Sequence, residues 1–162
     1  MVWPVRLAGE ECIKYFQTGQ IGCYDEKGHI VNCLDTGQDA EFKSGLKCDG
    51  SRFVEGDNVV YDKNIDLAWL NDADFSNGML EWRTAFNLIE EMNREKRCGY
   101  NDWRLPTIIE LESLTDMSQH SPALPIGHPF LHVQDFYWSA TTSMYNTDYA
   151  WALYMKDGAV GV

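Results

Sequence analysis

The chain has 162 residues, of which 44% are hydrophobic, 13% aromatic and 23% charged, which suits a single domain with a core of its own. Its formal net charge is −12, from 13 Lys and Arg against 25 Asp and Glu, and no basic cluster offsets this locally, so nucleic acid and anionic membrane surfaces are poor partners. No apolar run approaches the roughly 18 residues of a membrane-inserted helix, and no motif implies a cofactor.

The N-terminal stretch, Met1 to Cys12, lacks the basic start and apolar run of a signal peptide. That leaves either a cytosolic chain or a mature one without its leader. Cys23 and Cys33 flank a segment in which Glu26-Lys27-Gly28 is a turn signal between two short extended stretches. A hairpin there brings the two sulfurs to disulfide distance and points to an oxidising, extracytoplasmic compartment. Cys12, Cys48 and Cys98 remain, most simply as one further pair and one free thiol; the chain has no C-x2–4-C spacing to favour zinc. Residues 17–50 are rich in Gly, Asp, Gln and Thr and carry two similar phrases, Thr18-Gly19-Gln20 and Thr36-Gly37-Gln38-Asp39. Residues 1–50 therefore read as an N-terminal strand and a loop-rich segment around the hairpin. Residues 51–162 read as the core, the two forming one compact domain.

Val59-Val60-Tyr61 and Leu67-Ala68-Trp69-Leu70 read as strands. Between them, Asp62, Asn64 and Asp66 mimic the start of a calcium loop, but Leu67 and Ala73 stand where such a loop needs Gly and Glu, so a plain turn is the expectation. Leu80 to Arg97 has helical spacing, with Trp82, Ala85, Phe86, Ile89 and Met92 on one stripe and Gly99 as a stop. A second helix starts at Thr107, where Thr107 and Glu110 have capping-box spacing; Ile108, Leu111 and Leu114 face inward, and the helix should end near Asp116. Pro122, Pro125 and Pro129 mark a long loop. Phe136 to Thr142 is a strand, as is Ala150 to Met155, with Trp151, Leu153 and Met155 on one face. Lys156-Asp157-Gly158 turns the chain into Ala159–Val162. Helices segregated from antiparallel strands give an α+β fold.

Several phrases together resemble the family of domains of unknown function that includes the C-terminal domain of the Legionella collagen-like adhesin. They are Arg52-Phe53, Leu67-Ala68-Trp69, Asn101-Asp102-Trp103-Arg104-Leu105-Pro106-Thr107 running into Glu110-Leu111, Tyr137-Trp138-Ser139-Ala140-Thr141, and Ala150-Trp151 followed by Asp157-Gly158. The resemblance implies a C-type-lectin-like fold, two helices on twisted antiparallel sheets with a long loop region, in an exported adhesion or ligand-binding module. Related folds include an oxidase that makes formylglycine. The calcium tripeptides of sugar-binding lectins do not occur here. Members often end in a strand resembling Val-Trp-Pro-Val-Arg; here that phrase stands at the start, as residues 2–6. The displaced phrase is expected either in a unit cut from a tandem array or in a permuted chain. Trp3 and Val5 are expected to pair near the C-terminal hairpin, in the same chain or by self-association with a neighbour.

Candidate chemistry is sparse. His120, His128 and His132 fall in the Pro-rich loop; His128 and His132 are four apart, but Pro129 between them speaks against a regular helical metal pair, and Glu110 and Glu112 point to different helix faces. Arg104 should pair with Asp102 or Glu110. A formylglycine-oxidase-like metal enzyme needs a second thiolate beside Cys98, and only Cys12 or Cys48 could supply it. No catalytic constellation is expected. A glycan- or protein-binding face is expected at the late loop, from Tyr145, Asn146, Asp148 and Tyr149 with Tyr154 on the adjacent strand, because Tyr and Asn give large contact area and adaptable hydrogen bonds. Trp138 and Trp151 are assigned to the core.

Overall fold

In the computed structural model the described residues are 1, 3–7, 15–43, 45–47 and 50–162. An alternating strand buries one face, but Leu67–Leu70 reads Leu-Ala-Trp-Leu and all four side chains are buried. A strand without a polar face needs cover on both sides. This strand, β6, lies inside a four-stranded antiparallel sheet of order β1-β6-β5-β4, with β1 at Val5–Leu7, β4 at Phe53–Glu55 and β5 at Val59–Asp62. Val60, Leu67 and Trp69 enter the larger core, while Val59 and Leu70 enter a second core on the opposite face.

The second core is closed by helix α2, Trp82–Arg94, whose Ala85, Ile89 and Met92 are buried against Val59, Leu70, Trp103 and Leu105. Trp82 and Phe86, on the same stripe, are only partly covered, and Phe86 is 39% exposed. The helix ends before Gly99: Glu95 caps it and Lys96 takes a left-handed φ of 52°, so the chain reverses three residues earlier than the glycine signal suggests. The larger core is closed by helix α3, Ile108–Glu112, and by a three-stranded antiparallel sheet of order β7-β8-β9, with strands at Phe136–Thr142, Ala150–Tyr154 and Val160–Gly161. The Thr107 hydroxyl accepts from the Glu110 N–H at 3.2 Å and the Glu110 carboxylate accepts from the Thr107 N–H at 2.7 Å, which forms the expected capping box. The helix stops at Glu112 rather than near Asp116, and Leu114 reaches the core from the turn beyond it.

Cys23 and Cys33 form a disulfide with Cα atoms 5.2 Å apart, across a hairpin of β2 (Cys23–Tyr24) and β3 (Ile30–Val31). The two Thr-Gly-Gln phrases both turn through glycine at positive φ, 85° at Gly19 and 70° at Gly37. At Gly19 a Cβ would fall 2.1 Å from the Asp116 carboxylate, so the second reason for glycine there is space. After the second phrase comes one short turn of helix, α1 (Asp39–Phe42), which the sequence pattern did not suggest. Gln38 stands in for a strand partner: its amide accepts from the Tyr24 N–H at 3.0 Å and donates to the Tyr24 carbonyl at 2.7 Å.

The N-terminal segment corrects one expectation. It pairs within its own chain, but with β6 in the central sheet (Val5 opposite Trp69, Leu7 opposite Leu67), not with the C-terminal hairpin. Among the described residues of this segment, the backbone hydrogen bond to the second sheet is made by the Met1 carbonyl, which accepts from the Trp138 N–H at 3.3 Å. The reason is Trp3. Its indole is wholly buried with its centroid 5.5 Å from Trp69, 4.4 Å from Phe130 and 5.0 Å from Tyr137, and its N–H donates to the Leu70 carbonyl at 3.0 Å. Arg6 adds a bidentate pair to Asp102 (3.0 and 3.2 Å) and lies over the Tyr100 ring at 4.1 Å. Met1, Trp3 and, at its margin, Phe16 thus join the core built by residues beyond 51.

A second correction concerns tryptophans. Trp138 and Trp151 are only partly buried; the buried ones are Trp3, Trp69 and Trp103. Trp138 keeps its indole N–H bonded to the Leu80 carbonyl at 2.9 Å. Trp3→Ala should therefore cost about 3–5 kcal/mol of folding free energy, and Trp151→Ala clearly less, by urea titration followed by circular dichroism. Equal losses, or a silent Trp3→Ala, would refute this placement of the core.

Candidate functional site

The late loop lies between β7 and β8. Its ends are held by the Ser143 N–H donating to the Tyr149 carbonyl (2.9 Å), the Tyr149 N–H donating to the Asn146 carbonyl (3.0 Å) and the Asp148 N–H donating to the Asn146 side-chain oxygen (3.2 Å). A loop tied this way projects its tip: Tyr145 is 98% exposed, Met144 85% and Tyr149 53%. Asn146 and Asp148 are exposed beside them. Asn146 spends its oxygen on the loop itself, so it shapes the tip as well as lining it.

Tyr154 does not join this group. It lies five residues from Tyr149 along β8, roughly 16 Å at the rise of a strand, and on the alternate face. There it stands over Gly161, where an added Cβ would come within 3.0 Å of its ring, and its centroid is 6.3 Å from Phe136. It forms a wall of a half-open cleft of about 340 Å³ whose other apolar lining is Pro122, Val133 and Met155. The polar lining is Ser121, Gln134, Asp135 and Lys156. Three backbone bonds bring these separate segments together: Ser121 N–H to Lys156 carbonyl (2.9 Å), Ala123 N–H to Met155 carbonyl (2.7 Å) and Met155 N–H to Asp135 carbonyl (2.8 Å). Pairings between loop and strand ends leave no periodic trace, so sequence reading missed this cleft. The usable signal was a tyrosine on the outward parity of a strand.

The charged residues of the Asn101–Pro106 phrase serve the fold. Arg104 pairs with Glu110 at 2.6 and 2.8 Å, not with Asp102, which belongs to Arg6. Burial opposes ionisation of Glu110, but its bonds to Arg104 and to the Thr107 N–H outweigh that and hold its carboxyl below the usual range. The hydrogen bond from Arg6 lowers Asp102 in the same sense. Asp62, read from sequence as the first residue of a calcium-like loop, is buried and committed to Arg52, whose Nε lies 2.9 Å from its carboxylate. Arg52 also donates to the Ser113 carbonyl at 2.7 Å and lies against the Phe16 ring at 4.3 Å.

Among the described residues no three His, Cys, Asp or Glu side chains converge to hold a metal ion. Cys98 is a free thiol, and burial raises its pKa. Cys12 and Cys48, the other sulfurs weighed for a metal or a second disulfide, lie outside the described residues. His132 is exposed and bonds Asp72 at 3.0 Å. His128 stacks on Phe130, and its Nδ1 is buried without a hydrogen-bond partner.

A profile of the Lcl C-terminal domain matches residues 58–162. Comparison with curated proteins and with solved structures gives no match.

Burial pushes the His128 pKa down from its ordinary value. The folded state therefore takes up its proton less readily than the unfolded chain. The stabilisation is complete above the unfolded value of about 6.5 and is lost as pH falls from there through the folded value. Urea midpoints at about pH 5.5 and pH 7.5 should differ more for the unaltered protein than for His128→Phe. The same pH dependence in both would show that His128 does not contribute.

Proposed function

The chain belongs to the Lcl C-terminal domain family, and from that premise we propose that it is an exported ligand-binding module of adhesin type rather than an enzyme. The family is adhesin-associated. To this the proposal adds a C-type-lectin-like arrangement in which α2 and α3 pack on the two antiparallel sheets. Residues 1–50, an N-terminal strand and a loop-rich segment around the Cys23–Cys33 hairpin, form one compact domain with the core of 51–162 in this proposal. The Cys23–Cys33 disulfide and the lack, among the described residues, of any helix long and apolar enough to cross a membrane are compatible with an extracytoplasmic setting.

The observation that carries the proposal is the late loop: a tyrosine 98% exposed, at the tip of a turn tied at its base by backbone bonds. A pre-shaped loop offers aromatic contact area at small ordering cost. The ligand is a glycan or a protein, and binding is expected without calcium, because the calcium tripeptides of sugar-binding lectins do not occur in the sequence. The charge of −12 works against nucleic acid. A structural unit in a tandem array is the alternative, motivated by Met1 and residues 3–7, which reach both sheets and could be supplied by a neighbour.

Glycan arrays and cell-surface protein screens, each with and without calcium, test the proposal. Tyr145→Ala and Tyr149→Ala should each cost about 1–3 kcal/mol of binding while the urea midpoint stays put. Binding that survives loss of both tyrosines would place the site elsewhere.

A further inference from the structure

The cleft under Tyr154 has a composition that selects for ligand chemistry. Its polar groups are idle. The side chains of Ser121, Asp135 and Lys156 make no hydrogen bond or ion pair with another described residue, although Asp135 and Lys156 carry opposite charge on one cleft. Gln134 donates its amide N–H to the His132 carbonyl at 2.8 Å, which leaves its amide oxygen facing no donor. Residues that carry a hydroxyl, a carboxylate, an amide oxygen and an ammonium group thus line a cleft beside Pro122, Val133, Met155 and Tyr154, which is 41% exposed.

We propose that this cleft binds a neutral saccharide residue, with one ring face on Tyr154 and its hydroxyls on Ser121, Gln134, Asp135 and Lys156. The proposal rests on the reading of the chain as a binding module but not on the late loop, which lies at the other end of β8. A purely apolar ligand would strip water from four polar groups and give nothing back. An anionic ligand meets one lysine against Asp135 and a chain of charge −12. A peptide strand would need a free sheet edge, and β8, the strand that carries Tyr154, is paired on both sides. A sugar ring has what the cleft lacks: apolar C–H faces for an aromatic wall, and hydroxyls that donate to a carboxylate or amide oxygen and accept from an ammonium group. The volume of about 340 Å³ falls at the small end of ligand sites.

The Tyr154 ring is held in place by the small residue beneath it. A Cβ at Gly161 would press on the ring at 3.0 Å, so Gly161→Ala should tilt it without removing it.

Saturation-transfer NMR with the methyl glycosides of glucose, galactose and N-acetylglucosamine tests the site, with galactose 6-sulfate and L-serine as anionic and zwitterionic competitors. At least one neutral glycoside should receive saturation at its ring C–H protons. Its affinity should fall about tenfold or more in Tyr154→Ala and in Asp135→Asn. It should weaken in Gly161→Ala and stay unchanged in Met79→Ala, an exposed position outside both surfaces, with circular dichroism showing each variant folded. Failure of all three glycosides to bind at millimolar concentration would overturn the proposal. So would preferential binding of the sulfate or of serine. Binding lost in Tyr145→Ala but kept in Tyr154→Ala would overturn it too, while supporting the late loop as the ligand face.

Discussion

The indole of Trp3 is the contact on which the arrangement of the two sheets depends. It is wholly buried against Trp69 of the four-stranded sheet and Tyr137 of the three-stranded one, with Phe130 at its edge. Its N–H is spent on the carbonyl that ends β6, and the backbone on either side bonds Trp138 through Met1 and Leu70 through Pro4. Aromatic burial of this size dominates core energetics. Met1 and residues 3–7 therefore act as a clasp: one carbonyl on β7, one indole in the core, one strand on the edge of β6. The Arg52–Asp62 pair does the complementary task below, tying β5 to the turn after α3 through the Ser113 carbonyl. A buried pair of this kind is valued less for net stability than for leaving a wrong arrangement with an unpaired charge.

Elements with a local cause were legible in the sequence. The α2 stripe, the Thr107–Glu110 capping box, the Cys23–Cys33 hairpin and the β7 and β8 strands each rest on spacing within a dozen or so residues, and each is present. What sequence missed was decided at long range. The partner of β1 is fixed by where an indole finds three rings, and those rings come from residues 69, 130 and 137. Asp62 resembles a metal ligand until Arg52, ten residues upstream, is placed beside it. Trp151 has inward parity, yet it sits near the rim of a small sheet, where parity does not ensure cover. The end of α2 shows a competition between local signals: Lys96 takes the left-handed conformation before Gly99 is reached.

The same distinction separates the two surfaces considered for binding. The late loop is contiguous in sequence, so Tyr145, Asn146, Asp148 and Tyr149 could be grouped by reading alone, and the turn bonds explain why they project. Tyr154 was grouped with them by nearness in sequence, but alternation along β8 turns it to the other face and strand length carries it to the other end. Its neighbours there come from the Pro-rich loop and the turn before β7, joined by backbone bonds that no periodicity announces.

The clasp is the central claim, and amide hydrogen exchange on the unaltered protein tests it most directly. Three amides report on residues 1–7: Leu70, which donates to Pro4, Trp138, which donates to Met1, and Ala68, paired with Arg6 across β1 and β6. If the clasp is part of the core, the Leu70, Trp138 and Ala68 amides exchange only with global unfolding, as slowly as the amides that pair β5 with β6. Exchange of those three amides at the rate of a frayed terminus, with Trp69 opposite Val60 still protected, would show that the segment is detached and contradict the account.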